Sequence, residues 1–381
     1  MDLDLNALRA RIDDINHRMV QLFVERMNVS MDIAKYKLEN GLPVLDKERE
    51  RAILNRMALE AGEPFEDYTQ VLFRTLFELS RSYQSGLMAN ENALTGRIEE
   101  ALKNTPTLFP RRAVVACQGV EGAYSQQACD KLFPHAEIVY VQSFEGVFQA
   151  VEQGLCRYGV LPIENSSFGS VGAVYDLMKR HKFSIVRGTR LRIVHTLLGK
   201  KGASIEGIRE VFSHEQAIGQ CGEFLKAHPK IKVTVCANTA MAAKMVAESD
   251  RDDVAAISSR QCAELYGLQI LSEGIQDNDN NFTRFICISR GLEIYPGASK
   301  ISLMMTLPHS PGSLSGMLSR FSMLGINLTK LESRPIPGKD FEFMFYFDLE
   351  ASACAEPVLK LLCELQNNPG TFVFLGNYID A

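Results

Sequence analysis

Arg26 and Lys37 share one face of a long helical stretch. From Leu3 to Asn40, apolar residues recur at helical spacing: Leu5, Leu8, Ile12, Ile15, Met19, Leu22, Val29 and Ile33. The same steps of three and four carry that stripe through both cations. Long cations seldom sit on a core-facing stripe unless an anion waits there. An ideal helix sets Arg26 and Lys37 roughly 16 Å apart along its axis and about 20° apart around it, so the pair could grip the two ends of a small dianion. Arg9 lies roughly 25 Å before Arg26 and about 100° off its azimuth, so it could serve only the equivalent site of a second chain. Each cation alone could instead snorkel to solvent. Asp46, Arg49 and Glu50 share a first helical turn further on, and Ser80 and Gln84 share a face. The set holds cations, acids and neutral polar groups but no nucleophile–base pair and no metal cluster. It suits a dicarboxylate reaction that needs shape and charge and no covalent step.

Three helices must position these groups. The first stops at Gly41-Leu42-Pro43. Asp46 is placed to cap a second over 47–61, ended by Gly62, and a third runs from Glu66 to Gln84. A first helix about 50 Å long is too long for two short helices to bury, so its stripe needs a second copy of itself and a dimer is expected. Residues 91–111 read as a polar linker with some helix. Short β-branched runs then alternate with helical stretches. Strands are expected over 113–117, 138–141, 159–162, 184–186, 192–198, 210–212, 232–236, 254–257 and 284–289, in largely parallel sheets. A β-α-β-β-α-β unit closes the chain, with strands at 301–307, 327–332, 341–349 and 372–375.

Three stretches of the α/β region carry polar groups. Gly119-Val120-Glu121-Gly122-Ala123-Tyr124-Ser125 follows a strand and opens a helix, as an anion seat or a plain tight turn does. Glu164, Asn165 and Ser166 close a strand, where α/β sheets bind ligands, although an Asx-type turn has the same composition. Thr283-Arg284-Phe285 follows a polar run and enters a final strand. His214 stands near a strand end, where a lone histidine is more often structural.

The bulk properties are those of a globular chain of 381 residues, 46% hydrophobic and 23% charged, long enough for two or three domains. A net charge of -5 with no basic tract speaks against nucleic acid. No apolar run suggests a membrane span, and the first residues lack a signal-peptide pattern. The 9 cysteines form no CxxC pair, which fits reduced thiols in a cytoplasm and no zinc site.

Residues 1–90 resemble the all-helical chorismate mutases, domain-swapped dimers that convert chorismate to prephenate by a pericyclic rearrangement. Arg9, Arg26, Lys37, Asp46, Arg49, Glu50, Ser80 and Gln84 match that family's polar site. The resemblance implies that the arginines clamp two carboxylates, Lys37 and Gln84 hydrogen-bond the ether oxygen, and Glu50 with the Asp46 region holds the ring hydroxyl. Residues 112–291 resemble the two-lobed prephenate dehydratases, α/β folds like periplasmic binding proteins, whose hallmark Thr-Arg-Phe is matched by Thr283-Arg284-Phe285. Tyr124, Ser125, Glu164, Asn165, Ser166 and Gln216 sit where that family places pocket residues, and the resemblance gives Thr283 the leaving hydroxyl. Cys117-Gln118-Gly119 departs from the family's more usual Leu-Gly-Pro. Residues 299–377 resemble an ACT domain, an α+β ferredoxin-like amino-acid sensor, with Gly312, Ser313, Leu314, Asn327, Glu332, Ser333 and Arg334 at its ligand positions and L-phenylalanine as the expected effector.

The order mutase, dehydratase, sensor resembles the bifunctional enzymes of phenylalanine biosynthesis, which implies feedback inhibition, a homodimer or higher oligomer, and no cofactor or metal. A mutase fused to a dehydrogenase would need a strand–GxGxxG–helix unit, which is absent. A non-catalytic amino-acid-binding regulator is the rival of another class. Two complete polar sites argue against it.

Overall fold

The computed structural model describes residues 4–43, 45–88, 93–336, 338, 342–367 and 370–380. The expected helix start at Leu3, the first residues of the linker at 91–92 and the strand start at Phe341 fall outside them. Three helices open the chain: α1 (Leu5–Glu39), α2 (Lys47–Ala61) and α3 (Glu66–Met88). Asp4 caps α1 by accepting from the Asn6 amide, Asp46 caps α2 by accepting from the Arg49 amide, and Gly62 closes α2 at φ 62°.

The face of α1 turned to α3 carries Arg26, Met27, Ser30 and Ala34. The expected apolar stripe beside it is left uncovered in the single chain. Its members Leu5 to Ile33 range from 39% exposed at Leu8 to 64% at Leu22. α3 covers only the strip of α1 that carries Arg26, Met27, Ser30 and Ala34, and the apolar residues beside that strip stay uncovered. α4 (Ala93–Asn104) corrects the linker reading. Leu94, Ile98 and Ala101 are buried in the core of the C-terminal unit.

A two-lobed α/β region follows. The first lobe contains β1 (Val114–Gln118), α5 (Tyr124–Leu132), β2 (Glu137–Val141), α6 (Phe144–Glu152), β3 (Tyr158–Asn165), β4 (Gly169–Ser170), α7 (Gly172–His181) and β5 (Ser184–Arg192). The second contains β6 (Thr196–Gly199), β7 (Glu210–Ser213), α8 (Glu215–Gly219), α9 (Gly222–Ala227), β8 (Lys232–Val235), α10 (Thr239–Glu248), β9 (Val254–Ser258), α11 (Gln261–Tyr266) and β10 (Gln269–Glu273). The chain then returns through β11 (Phe282–Ser289), which inserts between β3 and β5. The sheets run β2-β1-β3-β11-β5, with β4 on β3, and β10-β6-β9-β7-β8.

Both sheets are mixed, not largely parallel. A returning strand must enter from the other end, so β11 is antiparallel to both neighbours. The single strand expected over 192–198 is broken by the crossing segment Ile193, Val194 and His195, whose backbone pairs with the returning segment through Ile193 N to Asn281 O (2.8 Å) and Ile275 N to His195 O (3.1 Å).

The C-terminal unit consists of β12 (Lys300–Thr306), α12 (Ser313–Met323), β13 (Asn327–Pro335), β14 (Phe343–Glu350), α13 (Glu356–Asn367) and β15 (Phe372–Tyr378). Its strands form one antiparallel sheet in the order β13-β14-β12-β15. One face packs on α4, α12 and α13. The other packs Met304, Met344, Tyr346 and Tyr378 on the first lobe, against Leu161, Ile163 and Ile286. The dehydratase-like sheet is therefore covered by this unit on one face and by α5 on the other.

Candidate active sites

In the helical region, Arg26 Nη1 donates to Ser80 Oγ (2.5 Å) and to the Leu76 carbonyl (3.2 Å), with its guanidinium 5.7 Å from the Phe77 ring centre. Burial pulls this guanidinium below its ordinary value, and the nearby Glu50 carboxylate pulls it part of the way back. Gln84 is buried and donates to Ser30 Oγ (2.6 Å) and to the Ser30 carbonyl (3.1 Å). Glu50 forms an ion pair with Arg81. Lys37 is half-buried near the end of α1.

Arg26, Glu50, Ser80 and Gln84 are thus gathered on facing helix surfaces. Asp46 is occupied as a helix cap, and Arg49 is exposed beside it. Arg9 is exposed near the far end of α1 and joins no such group among the described residues of its own chain. Ser30 and Arg81 were not singled out from sequence. Ser30 lies one turn beyond Arg26 on the same face, a signal that the cations alone overshadowed.

In the two-lobed region, the C-terminal end of β3 meets the N-terminal end of the antiparallel β11. Asn165 Oδ1 accepts from the amides of Ser167 (2.9 Å) and Phe168 (3.1 Å), which identifies the opposite atom as the amide nitrogen. That nitrogen donates to Thr283 Oγ1 (3.0 Å) and to Asn281 Oδ1 (2.8 Å). The Thr283 hydroxyl is an acceptor in this bond, so its own hydrogen is left to donate elsewhere. Thr283 is only 9% exposed.

The second lobe brings the exposed Gln216 at the start of α8. His214 caps that helix through Nδ1, which accepts from the Gln216 amide (3.3 Å), and burial lowers its pKa. Its ring is engaged as a helix cap. The lobes touch where Tyr266 donates to the Glu121 carbonyl (2.6 Å) and where a Cβ at Gly119, φ 118°, would stand 4.0 Å from Asn238 Nδ2.

Several expected contacts fall elsewhere. Neighbours along a strand point to opposite faces, so Glu164 and Arg284 cannot face the same side as Asn165 and Thr283. Arg284 instead reaches the C-terminal unit, bonding Asp348 (2.5 Å), Tyr378 (2.6 Å) and Asp380 (3.1 Å). Burial alone would lower this guanidinium, but the surrounding oxygens raise it overall. Glu164 accepts from Lys330 (2.9 Å). Phe285 is core. Ser166 is engaged by backbone, donating to the Asn280 carbonyl and accepting from the Phe282 amide. Tyr124 donates to the Val194 carbonyl (2.7 Å), and burial raises its hydroxyl pKa. It braces the crossing segment. Ser125 is buried in the first turn of α5.

That segment also holds a residue not singled out from sequence. His195 is buried, bonds Gln220 Oε1 (2.6 Å), and is held neutral-leaning by burial. Its only signal in the sequence is the interruption of a β-branched run.

At the C-terminal unit, Gly312 adopts φ 87° before α12, Ser313 bonds Ser310 (2.8 Å), and Leu314 packs on the core. Asn327 bonds Glu350 (2.7 Å). Glu332 accepts from Ser170, and Arg334 donates to the Gly172 carbonyl (2.9 Å). These two side chains are joined to the first lobe, because alternation along β13 sends them that way, while Ser333 is exposed.

A helical cluster of Arg26, Glu50, Ser80 and Gln84, fused to a two-lobed hydroxyl–amide cluster beside a small antiparallel sheet, gives one chain two separate candidate small-molecule sites. Residues 8–85 match chorismate mutase type II, and residues 115–292 match prephenate dehydratase. The chain is 31% identical over 385 residues to the bifunctional chorismate mutase/prephenate dehydratase of Enterobacter agglomerans, covering 99% of this chain and 96% of that protein. It is 39% identical over 279 residues to arogenate dehydratase/prephenate dehydratase 2, chloroplastic, of Arabidopsis thaliana, covering 70% and 73%. The solved prephenate dehydratase of Arthrobacter aurescens, in complex with L-Phe, superposes with TM-score 0.63 at 29% identity, covering 70% of this chain and 90% of that one.

The chain belongs to the bifunctional chorismate mutase/prephenate dehydratase family. It is an isomerase and a lyase of phenylalanine biosynthesis, and the reading as a non-catalytic regulator falls away. No helix among the described residues is long and apolar enough to cross a membrane.

Proposed function

We propose that chorismate lies between Arg26, Lys37, Glu50, Ser80 and Gln84 of one chain and Arg9 of a second. The desolvated Arg26, held by Ser80 and opposite Glu50, is the observation that carries this placement. As the ether bond breaks and the new carbon–carbon bond forms, negative charge builds on the ether oxygen. Lys37 and the amide of Gln84, oriented beforehand by Ser30, stabilise that charge in a site with no water to reorganise. The exposed stripe of α1 supports a second chain packed along it.

Prephenate then loses CO2 from C1 and hydroxide from C4, and aromatisation drives both departures. Thr283 donates its free hydroxyl hydrogen to the leaving oxygen. Asn165 fixes the hydroxyl, and Gln216 aligns the substrate from the other lobe. A threonine hydroxyl is too weak an acid to transfer its proton outright near neutral pH, so it acts as a donor or relay. The Asn165–Thr283 bond carries this assignment. Given chorismate as sole substrate, the purified chain should form phenylpyruvate. Chorismate consumption that ends in prephenate would refute the second site.

We further propose that the C-terminal unit is an ACT-type sensor. L-phenylalanine would bind near Gly312, Ser313 and Ser333 and lower dehydratase activity. The L-Phe carried by the Arthrobacter aurescens structure supports this. The unit is coupled to chemistry through Arg284, one peptide bond from Thr283 and anchored on Asp348. Inhibition requires phenylalanine to favour one arrangement over another, and linkage makes the effect reciprocal. A prephenate analogue should weaken phenylalanine binding by the same factor that phenylalanine weakens the analogue. Calorimetric titrations with and without the analogue test it, and equal affinities would exclude this route. The free cysteines suit a reducing compartment such as the cytoplasm.

A further inference from the structure

Arg81 stands in the mutase site without a place in the clamp. It follows Ser80 on α3, and its ion pair with Glu50 of α2 is largely shielded, the two side chains being 24% and 26% exposed. Glu78 lies one turn before Arg81 on the same helix and is seated against the C-terminal unit. A Cβ at Gly316 of α12 would stand 2.5 Å from Glu78 Oε1, so the Glu78 carboxylate lies directly against this glycine. Arg320, further along α12, pairs with Glu364 of α13 (2.8 Å). Burial raises the Glu78 carboxyl pKa, and Arg81 and Arg320 oppose that shift. Charges of alternating sign therefore run from the mutase site through α3 into the C-terminal unit.

This arrangement solves a problem within the clamp. Glu50 is close enough to Arg26 to act on it electrostatically. Left alone, a carboxylate there would turn to Arg26 and compete with the substrate's own carboxylate. We propose that Arg81 is a positioning residue of the mutase reaction: it holds Glu50 toward the ring hydroxyl and away from Arg26, and Glu78, three residues before it on α3 and seated against α12, attracts it from the other side. The proposal rests on the placement of chorismate beside Glu50.

The test is a double-mutant cycle on the full chain, with dehydratase turnover as the control for folding. Arg81→Met should lower mutase kcat/KM about tenfold, chiefly through KM, because Glu50 then competes for Arg26. Arg81→Lys should restore part of the loss. In the Glu50→Gln background, Arg81→Met should add less than about a twofold change, because a neutral amide does not compete for Arg26. Glu78→Gln should lower mutase kcat/KM about threefold and leave dehydratase turnover unchanged.

If Glu50→Gln alone retains full mutase activity, the chorismate placement itself is wrong and the proposal falls with it. If Glu50→Gln is impaired but Arg81→Met is normal, or the two losses multiply, the placement stands and the role of Arg81 is overturned. A Glu78→Gln enzyme with normal mutase kinetics overturns the brace from the C-terminal unit.

Discussion

Replacing Thr283 with alanine is expected to stop dehydration while chorismate rearrangement continues, so that prephenate accumulates. The hydroxyl is held by Asn165 as an acceptor and is left with one hydrogen to give. If that hydrogen stabilises the departing hydroxide, its loss should lower dehydratase kcat by about 10²–10⁴-fold, the usual range for a positioned proton donor. The fold should survive, because Asn165 keeps its bond to Asn281 and its two backbone donors. Thr283→Ser keeps the hydroxyl and should retain most of the rate. Mutase turnover should be normal, since Arg26, Glu50 and Gln84 lie on separate helices in a part of the chain remote from β11. Coupled assays on chorismate, read as prephenate against phenylpyruvate, decide the matter. Phenylpyruvate formed at the normal rate would show that Thr283 has been given the wrong role, and loss of both activities in a folded protein would refute independent sites.

The two halves were legible from sequence to different depths. Helical spacing and caps placed α1, α2 and α3 to within a few residues, because those signals are local. Which face of α1 turns inward was not legible. Hydrophobicity assigned the inner face to the Leu5–Ile33 stripe, but within one chain α3 covers only the adjoining strip that carries Arg26, Ser30 and Ala34. A pattern of apolar residues says that a face is buried and not by which chain. The same limit applies to α4, whose buried Leu94 and Ile98 lie in a segment with the composition of a linker.

In the two-lobed region, the motif brought Thr283 and Asn165 together but gave no sign of which neighbours face the other side of the sheet. Thr283 and Asn165 meet across β11 and β3. Their neighbours Arg284 and Glu164 must then point into the C-terminal unit, where Asp348, Asp380 and Lys330 receive them. Nothing local in Thr283-Arg284-Phe285 distinguishes a residue that touches substrate from one that fastens two domains, since the partners lie more than sixty positions away. The mixed topology was hidden for a similar reason, because the insertion of β11 between β3 and β5 depends on a chain that leaves one lobe and returns.

The strongest test of the mutase site concerns how many chains build it. Arg9→Ala and Arg26→Ala proteins should each lose about 10²–10³-fold in mutase activity, the cost of removing one cation from a desolvated carboxylate clamp. Mixed and allowed to exchange subunits, they should recover activity, and the arithmetic is specific. In a mixed dimer, the site that takes Arg26 from the Arg9→Ala chain takes Arg9 from the Arg26→Ala chain, and so has both cations. The other site has neither. Random exchange makes about half of all dimers mixed, so activity should return to about a quarter of the unmutated level. An Arg9 that served its own chain would give no recovery, because every site would then lack one cation. The geometry favours recovery. Arg9 sits roughly 25 Å along α1 from Arg26, which one straight helix cannot fold back. The apolar residues between them, Ile12, Ile15, Met19 and Leu22, are exposed in the single chain, as a seam awaiting a second α1 would be. Absence of any recovery in a mixed dimer verified by mass would leave that seam without the role assigned to it.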